Sequence, residues 1–423
     1  MTVAVSIVAL LALLALGVHV SIALGAVAVA LSFLSLNIPP VILAQTAWSS
    51  IDSYALVAIP FFIFAGNVMS RGNIAVELLE LIGTLVRWFR GGIALALATA
   101  SVFFAAVNGS SVACAVALGP AAVKLMPNEG YSPRFAAALV AVCGTLGLMI
   151  PPSLTFILIG ATTGLPITDL FIAGLLPGLM EAVMLAITTI WISRANGFGF
   201  VADRPDWKGF AKRLPRASGA LLMPVLIIGS IYAGAFTPTE VSGLAAAYAV
   251  VLVLFVYRTA TPRAVWSVAQ ESVMQTVMIY AVIIGAGLLT ALLTRLGLAN
   301  ELSTLIAAAN VSPWMFLLAV NLMLLVVGMF LDGVSMIVLL APILFPIAHT
   351  VGIDLIHFAV IMTALIEIAT LTPPIGLNLF VMSRITKLPV QEVIRGVLPF
   401  YFTRIIGLII INAVPAVSTI LVR

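Results

Sequence analysis

The feature that most constrains this chain is a pair of backbone breaks, set in apolar sequence, that occurs twice. The first copy is Asn108-Gly109-Ser110-Ser111 followed by Gly144-Thr145-Leu146 and Ile150-Pro151-Pro152-Ser153. The second is Asp332-Gly333-Val334-Ser335 followed by Thr370-Leu371-Thr372-Pro373-Pro374. The polar glycine leads the first proline by 42 residues in one copy (109 to 151) and by 40 in the other (333 to 373). Proline removes a backbone donor and frees carbonyls of the preceding turn, and glycine lets a second backbone come close. Inside a bilayer such backbone is tolerated only where protein or a water-filled cavity satisfies it. Two broken, polar sites in each half of an apolar chain point to one binding centre built twice.

That the surroundings are a bilayer follows from charge. Of 423 residues 63% are hydrophobic and 8% charged, and the mean hydropathy is +1.26, whereas soluble domains carry roughly 25% charged residues. The chain reads as a polytopic membrane protein. Its net charge of +4 belongs to cytoplasmic loops, not to a nucleic-acid surface. Cys114 and Cys143 lie in apolar runs and read as small core residues. His19, His349 and His357 have no ligand spacing. No phosphate-binding Gly-Lys motif is present, so no ATP drive resides here. No nucleophile–base pair or metal cluster stands at one depth, which argues against a membrane-embedded enzyme. The first apolar run leads straight into a second, so it reads as a retained span, not a cleaved signal.

A spanning helix needs about 20 apolar residues. Runs at 3–17 and 20–36 precede a loop at 37–52 that lacks Lys and Arg, then a span at 53–70. Residues 73–88, with Glu77, Glu80 and Arg87, read as an amphipathic interfacial helix. The runs 92–107 and 111–126 are each too short to cross: at about 1.5 Å per residue each covers about 24 Å of a roughly 30 Å core. They read as a re-entrant hairpin, 92–126. A broken helix follows at 133–163 and a span at 169–193. The polar stretch 194–217 is a cytoplasmic linker. Beyond it the order returns: spans at 218–236, 239–257 and 270–294, a mixed helix near 298–310, a hairpin at 314–348, a broken helix at 355–386 and a last span at 396–421. Residues 1–193 and 218–423 are therefore expected to be two inverted repeats of about five spans and one hairpin each, as in many transporters. Individual residues carry the repeat too: Arg71 matches Arg295, Phe135-Ala136 matches Phe358-Ala359, and Gly174-Leu175-Leu176-Pro177 matches Gly396-Val397-Leu398-Pro399.

With the N-terminus outside, 17 of the 19 Lys and Arg fall in inner loops, Arg404 among them; only Arg295 and Arg423 lie outside. Positive residues favour the cytoplasm, which fixes the expected orientation.

Free carbonyls with Ser and Thr hydroxyls at one point suit Na⁺. The hairpin tips add a negative helix end and a positive one, so each tip with its break can hold a cation on one side and an anionic group on the other. Asp332 at the second tip has three readings: a helix cap, a Na⁺ ligand, or a proton carrier. Glu367 is either functional or a satisfied core carboxylate. Asn378 either reaches ligand or satisfies its own break. Glu240, in Thr237-Pro238-Thr239-Glu240, reads as a structural helix start, and Glu181 has no evident partner.

Gly130-Tyr131, Arg134-Phe135-Ala136-Ala137-Ala138, Gly144-Thr145-Leu146-Gly147, Ile150-Pro151-Pro152-Ser153, Thr237-Pro238-Thr239-Glu240 and Thr372-Pro373-Pro374-Ile375-Gly376-Leu377-Asn378-Leu379-Phe380 together resemble the large membrane subunit of tripartite ATP-independent periplasmic (TRAP) transporters. The resemblance covers nearly the whole chain; Asn108 departs from it, since such proteins often have Ser there. It implies the all-α fold of an elevator-type transporter, with hairpins and broken helices as the moving domain and the other spans as scaffold. It implies Na⁺-coupled import of organic acids such as C4-dicarboxylates, sialic acid or other sugar acids across the bacterial inner membrane. It also implies two partners, a small four-helix membrane subunit and a periplasmic substrate-binding protein. A stand-alone Na⁺ or H⁺ carboxylate symporter is the nearest rival. On this reading Na⁺ binds at Asn108, Gly109 and Ser110 with Gly144, Thr145 and Gly147, and at Asp332 and Gly333 with Thr370 and Thr372. Substrate binds between the tips near Ser111, Pro152, Ser335, Pro374 and Asn378.

Overall fold

The computed structural model describes residues 2–33, 38–199 and 204–422. Among them every regular element is helical. In chain order these are α1 (Thr2–Ala15), α2 (Val20–Leu31), α3 (Pro40–Ile51), α4 (Ala58–Arg71), α5 (Ile74–Val86), α6 (Gly92–Asn108), α7 (Ser111–Leu125), α8 (Pro133–Met149), α9 (Leu154–Thr163) and α10 (Ile167–Ala195). Then come α11 (Trp207–Tyr232), α12 (Pro238–Val251), α13 (Pro262–Arg295), α14 (Leu298–Ala308), α15 (Pro313–Gly328), α16 (Gly333–Thr350), α17 (Leu355–Ala369), α18 (Leu377–Thr386), α19 (Val390–Ala413) and α20 (Ala416–Thr419). The order α4, α5, α6–α7, α8–α9, α10 returns as α13, α14, α15–α16, α17–α18, α19. Nine helical runs among the described residues, some joining successive elements as Pro133–Thr163 joins α8 and α9, are long and apolar enough to cross a membrane.

The Pro133–Thr163 run is 94% buried over its most apolar window. Its first part, α8, packs on α6, α7, α10, α17, α18 and α19. The sequence explains that centrality. Ala136, Ala137, Ala138, Ala141 and Gly144 put little bulk on α8, so neighbouring backbones come close, and close packing is what holds helices together in lipid. Helices at the periphery do the opposite. Val183, Ile187 and Trp191 on α10 and Phe402, Ile406 and Ile409 on α19 are exposed, as side chains facing acyl chains would be.

Several helix starts are capped from sequence. Thr237 and Glu240 form a reciprocal capping box at α12: the Glu240 amide donates to Thr237 Oγ1 at 3.3 Å, and the Thr237 amide to Glu240 Oε2 at 2.8 Å. Thr237→Ala is expected to cost about 1 kcal/mol, read as a lowered thermal unfolding midpoint of the detergent-purified protein.

Three boundaries differ from expectation. Residues 40–51 of the expected loop form α3; twelve residues are too few to cross a membrane but enough to fold once Pro40 sets the first turn. Much of the expected polar linker, from Trp207 onward, is the start of α11, held to α5 by ion pairs of Arg216 with Glu77 (3.3 Å) and of Arg213 with Glu80. Residues 200–203 of that stretch lie outside the described residues. The third concerns Arg404. It is not a loop residue but sits midway along α19 with 3% exposure. Its place in the tally of inner-loop cations conflicts with the expected span 396–421, which already contains it.

Candidate functional site

The breaks form where the sequence placed them. Ile150 to Ser153 separate α8 from α9, and Thr370 to Gly376 separate α17 from α18. The Pro151–Pro152 and Pro373–Pro374 peptide bonds are cis. The first break divides Pro133–Thr163, a run long and apolar enough to cross a membrane. The first hairpin tip rests on that break. Gly109 has φ +61°, and a Cβ there would stand 2.7 Å from the Pro152 carbonyl oxygen. The Leu154 amide donates to the Gly109 carbonyl at 3.4 Å. In the second half the Ile375 amide donates to the Met329 carbonyl at 3.3 Å, joining that break to the end of α15.

Both tips line one cavity of about 150 Å³. Ser111 and Val112 bring the N-terminus of α7, Leu154 and Thr155 that of α9, Gly333 and Val334 that of α16, and Leu377 that of α18. Gly109, Leu148 and Thr370 bring the opposite, C-terminal ends of α6, α8 and α17. Helix N-termini carry partial positive charge and C-termini partial negative charge; the Gly109, Leu148 and Thr370 carbonyls already accept from the Leu154 amide, the Ser153 hydroxyl and the Asn378 amide, each keeping a second lone pair. Four of the first kind and three of the second therefore face one space. Asp332 is the one charged residue in the lining. Its carboxylate accepts from the Val334 amide at 3.1 Å and from the Ser335 hydroxyl, so it caps α16 while bordering the cavity.

The residues expected to bind ligand divide into two layers. Gly109, Ser110, Ser111, Asp332, Gly333 and Thr370 line the cavity. The others stand outside that lining. Ser335 is buried and donates to Asp332. Asn378 is buried, with Nδ2 donating to the Ala141 carbonyl at 2.9 Å and Oδ1 unpartnered. Gly144 packs between that amide and the Ser111 carbonyl, and Gly147 against the Ser110 backbone. Asn108 is buried against Gly66 with Nδ2 unpartnered. Pro152 is buried, supporting Gly109, and Pro374 is exposed. The Thr372 hydroxyl donates to the Ile368 carbonyl at 2.7 Å and accepts from Tyr401 at 2.9 Å. The Thr145 hydroxyl donates to the Val142 carbonyl at 2.9 Å and accepts from Arg404.

Arg404 reveals a centre that sequence reasoning missed. Its Nη1 donates to Glu181 Oε2 on α10 and to Glu367 Oε2 on α17, the latter at 2.8 Å. Its Nη2 donates to Thr145 and, at 3.2 Å, to the Val142 carbonyl, both on α8. Thr145 and Glu367 each stand six residues before the first proline of their break (145 to 151, 367 to 373). One guanidinium thus ties matching points of both broken helices. The available signal was a lone Arg inside an apolar run: a charge at that depth needs a partner, and Glu181 and Glu367 were the two unpaired carboxylates in apolar helices.

A helical membrane protein whose two broken helices and two polar tips converge on one cavity is of the transporter class. The comparisons give the family. Residues 7–417 match the family model for the DctM component of the tripartite ATP-independent periplasmic transporter. The C4-dicarboxylate TRAP transporter large permease protein DctM of Pseudomonas aeruginosa is 39% identical over 378 residues, 89% of this chain and 88% of that protein. The sialic acid TRAP transporter large permease protein SiaM of Vibrio cholerae is 32% identical over 97% of this chain and 96% of its own. The isethionate TRAP transporter permease protein DctMQ of Oleidesulfovibrio alaskensis is 35% identical over 96% of this chain but 64% of its own length. Among solved structures, the YdaH transporter of Alcanivorax borkumensis matches with a TM-score of 0.63 over 90% of this chain and 89% of that one, at 16% identity; this likeness concerns fold alone. The chain belongs to the DctM, or large permease, family of TRAP transporters. It is a component of a membrane transporter, and that family is not an enzymatic one.

Proposed function

We propose that this chain is the translocating subunit of a bacterial inner-membrane importer that carries small organic acids by Na⁺ symport. The observation that supports this most is the cavity: four helix N-termini and three C-termini face one space whose one charged side chain is Asp332. The N-termini suit a carboxylate. The C-terminal carbonyls, the hydroxyls of Ser110, Ser111 and Thr370, and Asp332 suit a hard monovalent cation. The cation would settle on the tip and break first and neutralise Asp332, and the anion would follow. C4-dicarboxylates, sialic acid and isethionate, named for the relatives, all carry an anionic group, which supports small organic anions as the substrate class. The partners would be a small four-helix membrane subunit and a periplasmic substrate-binding protein. The two hairpins and broken helices would move as one body against the remaining spans, an elevator, with the N-terminus of the chain on the periplasmic side.

The test is reconstitution in liposomes with both partners. Uptake of a labelled organic acid is expected only under an inward Na⁺ gradient. Uptake indifferent to Na⁺ would sink the symport reading, and uptake by the chain alone would sink the need for partners.

A further inference from the structure

The cavity between the tips does not end at its own walls. A second, larger one of about 320 Å³ adjoins it, and Ile279, Asp332, Val334 and Leu377 line both. One wall of the second cavity comes from α2 and α13, through Val20, Met278 and Val282. The other comes from the second tip and the second break, through Phe330 and Ile375. Met278, Phe330, Ile375 and Leu377 are large apolar side chains, each 38% exposed or more.

The two cavities differ in chemistry. Helix ends and hydroxyls line the first. Beside Asp332 the second holds one polar side chain, His19, whose Nδ1 lies 2.9 Å from Ser21 Oγ. Its lining, among the described residues, has no Lys or Arg. Size ties the two together. Small-molecule sites usually enclose about 300–1,000 Å³. At about 150 Å³ the first cavity falls short of that range, and only with the second does it enter it.

The lining then selects what can fill the second cavity. A second carboxylate there would shed its water among Val20, Met278 and Phe330 with no cation to meet it, and a buried charge without a partner is costly. A row of sugar hydroxyls would lose its hydrogen bonds to water with His19 alone to replace one of them. An alkyl or aryl group gives up no hydrogen bond and gains by leaving water.

We propose that the acid this chain binds is a monocarboxylate with an apolar body, its carboxylate at the helix ends and its alkyl or aryl part in the second cavity. This narrows the organic-acid reading given above and rests on it. The length of the body, not a second charge, sets affinity.

The experiment is a ligand-observed NMR titration of the full chain in lipid nanodiscs and NaCl, with no transport step. The probes are acetate, butanoate, hexanoate and phenylacetate, set against succinate and gluconate. Affinity should rise about fourfold for each methylene buried, and succinate and gluconate should bind no more tightly than acetate. Nanodiscs without protein correct for partition into lipid. Met278→Asn and Phe330→Ser place a polar group on opposite walls, so each should flatten the rise; two variants guard against the misfolding of one. Acids that bind with no rise along the series, or with succinate tightest, would overturn the proposal and leave the anion site standing. A rise that both variants keep in full would place the apolar body elsewhere and overturn it too. Binding of no acid at all would remove the anion site and this proposal with it.

Discussion

Arg404→Met is expected to leave little folded protein. Removing the guanidinium strands Glu181 and Glu367 together in the interior and unties α19 from Thr145 and Val142 on α8. Breaking a buried ion pair from one side costs about 3–5 kcal/mol, because the partner charge is left uncompensated. The measurement is the monodisperse fraction after detergent extraction, together with the thermal midpoint of what remains. The same reasoning predicts rescue. Arg404→Met combined with Glu181→Gln and Glu367→Gln removes every charge at once, and the thermal midpoint should recover above that of Arg404→Met alone. An Arg404→Met protein with an unchanged midpoint would show that the cluster holds nothing together.

The second large effect is expected at Gly144. A Cβ there would stand 2.7 Å from the Ser111 carbonyl oxygen and 3.2 Å from Asn378 Nδ2. The first of these is backbone at the start of α7 and cannot rotate away, so α7 must shift off α8 and carry the first tip with it. Overpacking of this kind costs about 1–3 kcal/mol. The displaced element carries Ser111 and Val112 of the cavity lining. With a comparable penalty on the substrate-bound state, at about 1.4 kcal/mol per tenfold, Gly144→Ala should slow reconstituted uptake roughly tenfold while the protein still purifies. Gly243→Ala is the control, because a Cβ there meets nothing within 4 Å; its uptake should match wild type. Equal uptake by both variants would remove Gly144 from the site.

How much of this was legible in sequence depends on how local the signal is. The helix breaks were readable because Gly, Ser and Pro interrupt apolar runs at fixed spacing, and such interruptions act on the residues that carry them. The capping box at Thr237 was readable for the same reason. The layering of the site was not. Ser335, Asn378 and Thr145 looked like ligand groups, since a polar side chain beside a break can point to a cavity or to its own scaffold, and helix rotation decides which. Here Asn378 turns to the Ala141 carbonyl and Thr145 to Arg404. The cluster itself joins residues 181, 367 and 404, whose meeting is set by tertiary packing alone. Counting Arg404 with the loop cations hid the one clue available, a guanidinium isolated among aliphatic neighbours.

The ring of helix ends has a bearing on selectivity. Main-chain N–H groups offer partial charge but no distinguishing shape, and no arginine fork is present among the lining residues to measure a carboxylate. A compartment of that kind weighs its cargo by charge and bulk. On the proposed function, chemical identity would then be judged elsewhere, by the soluble partner that delivers the cargo.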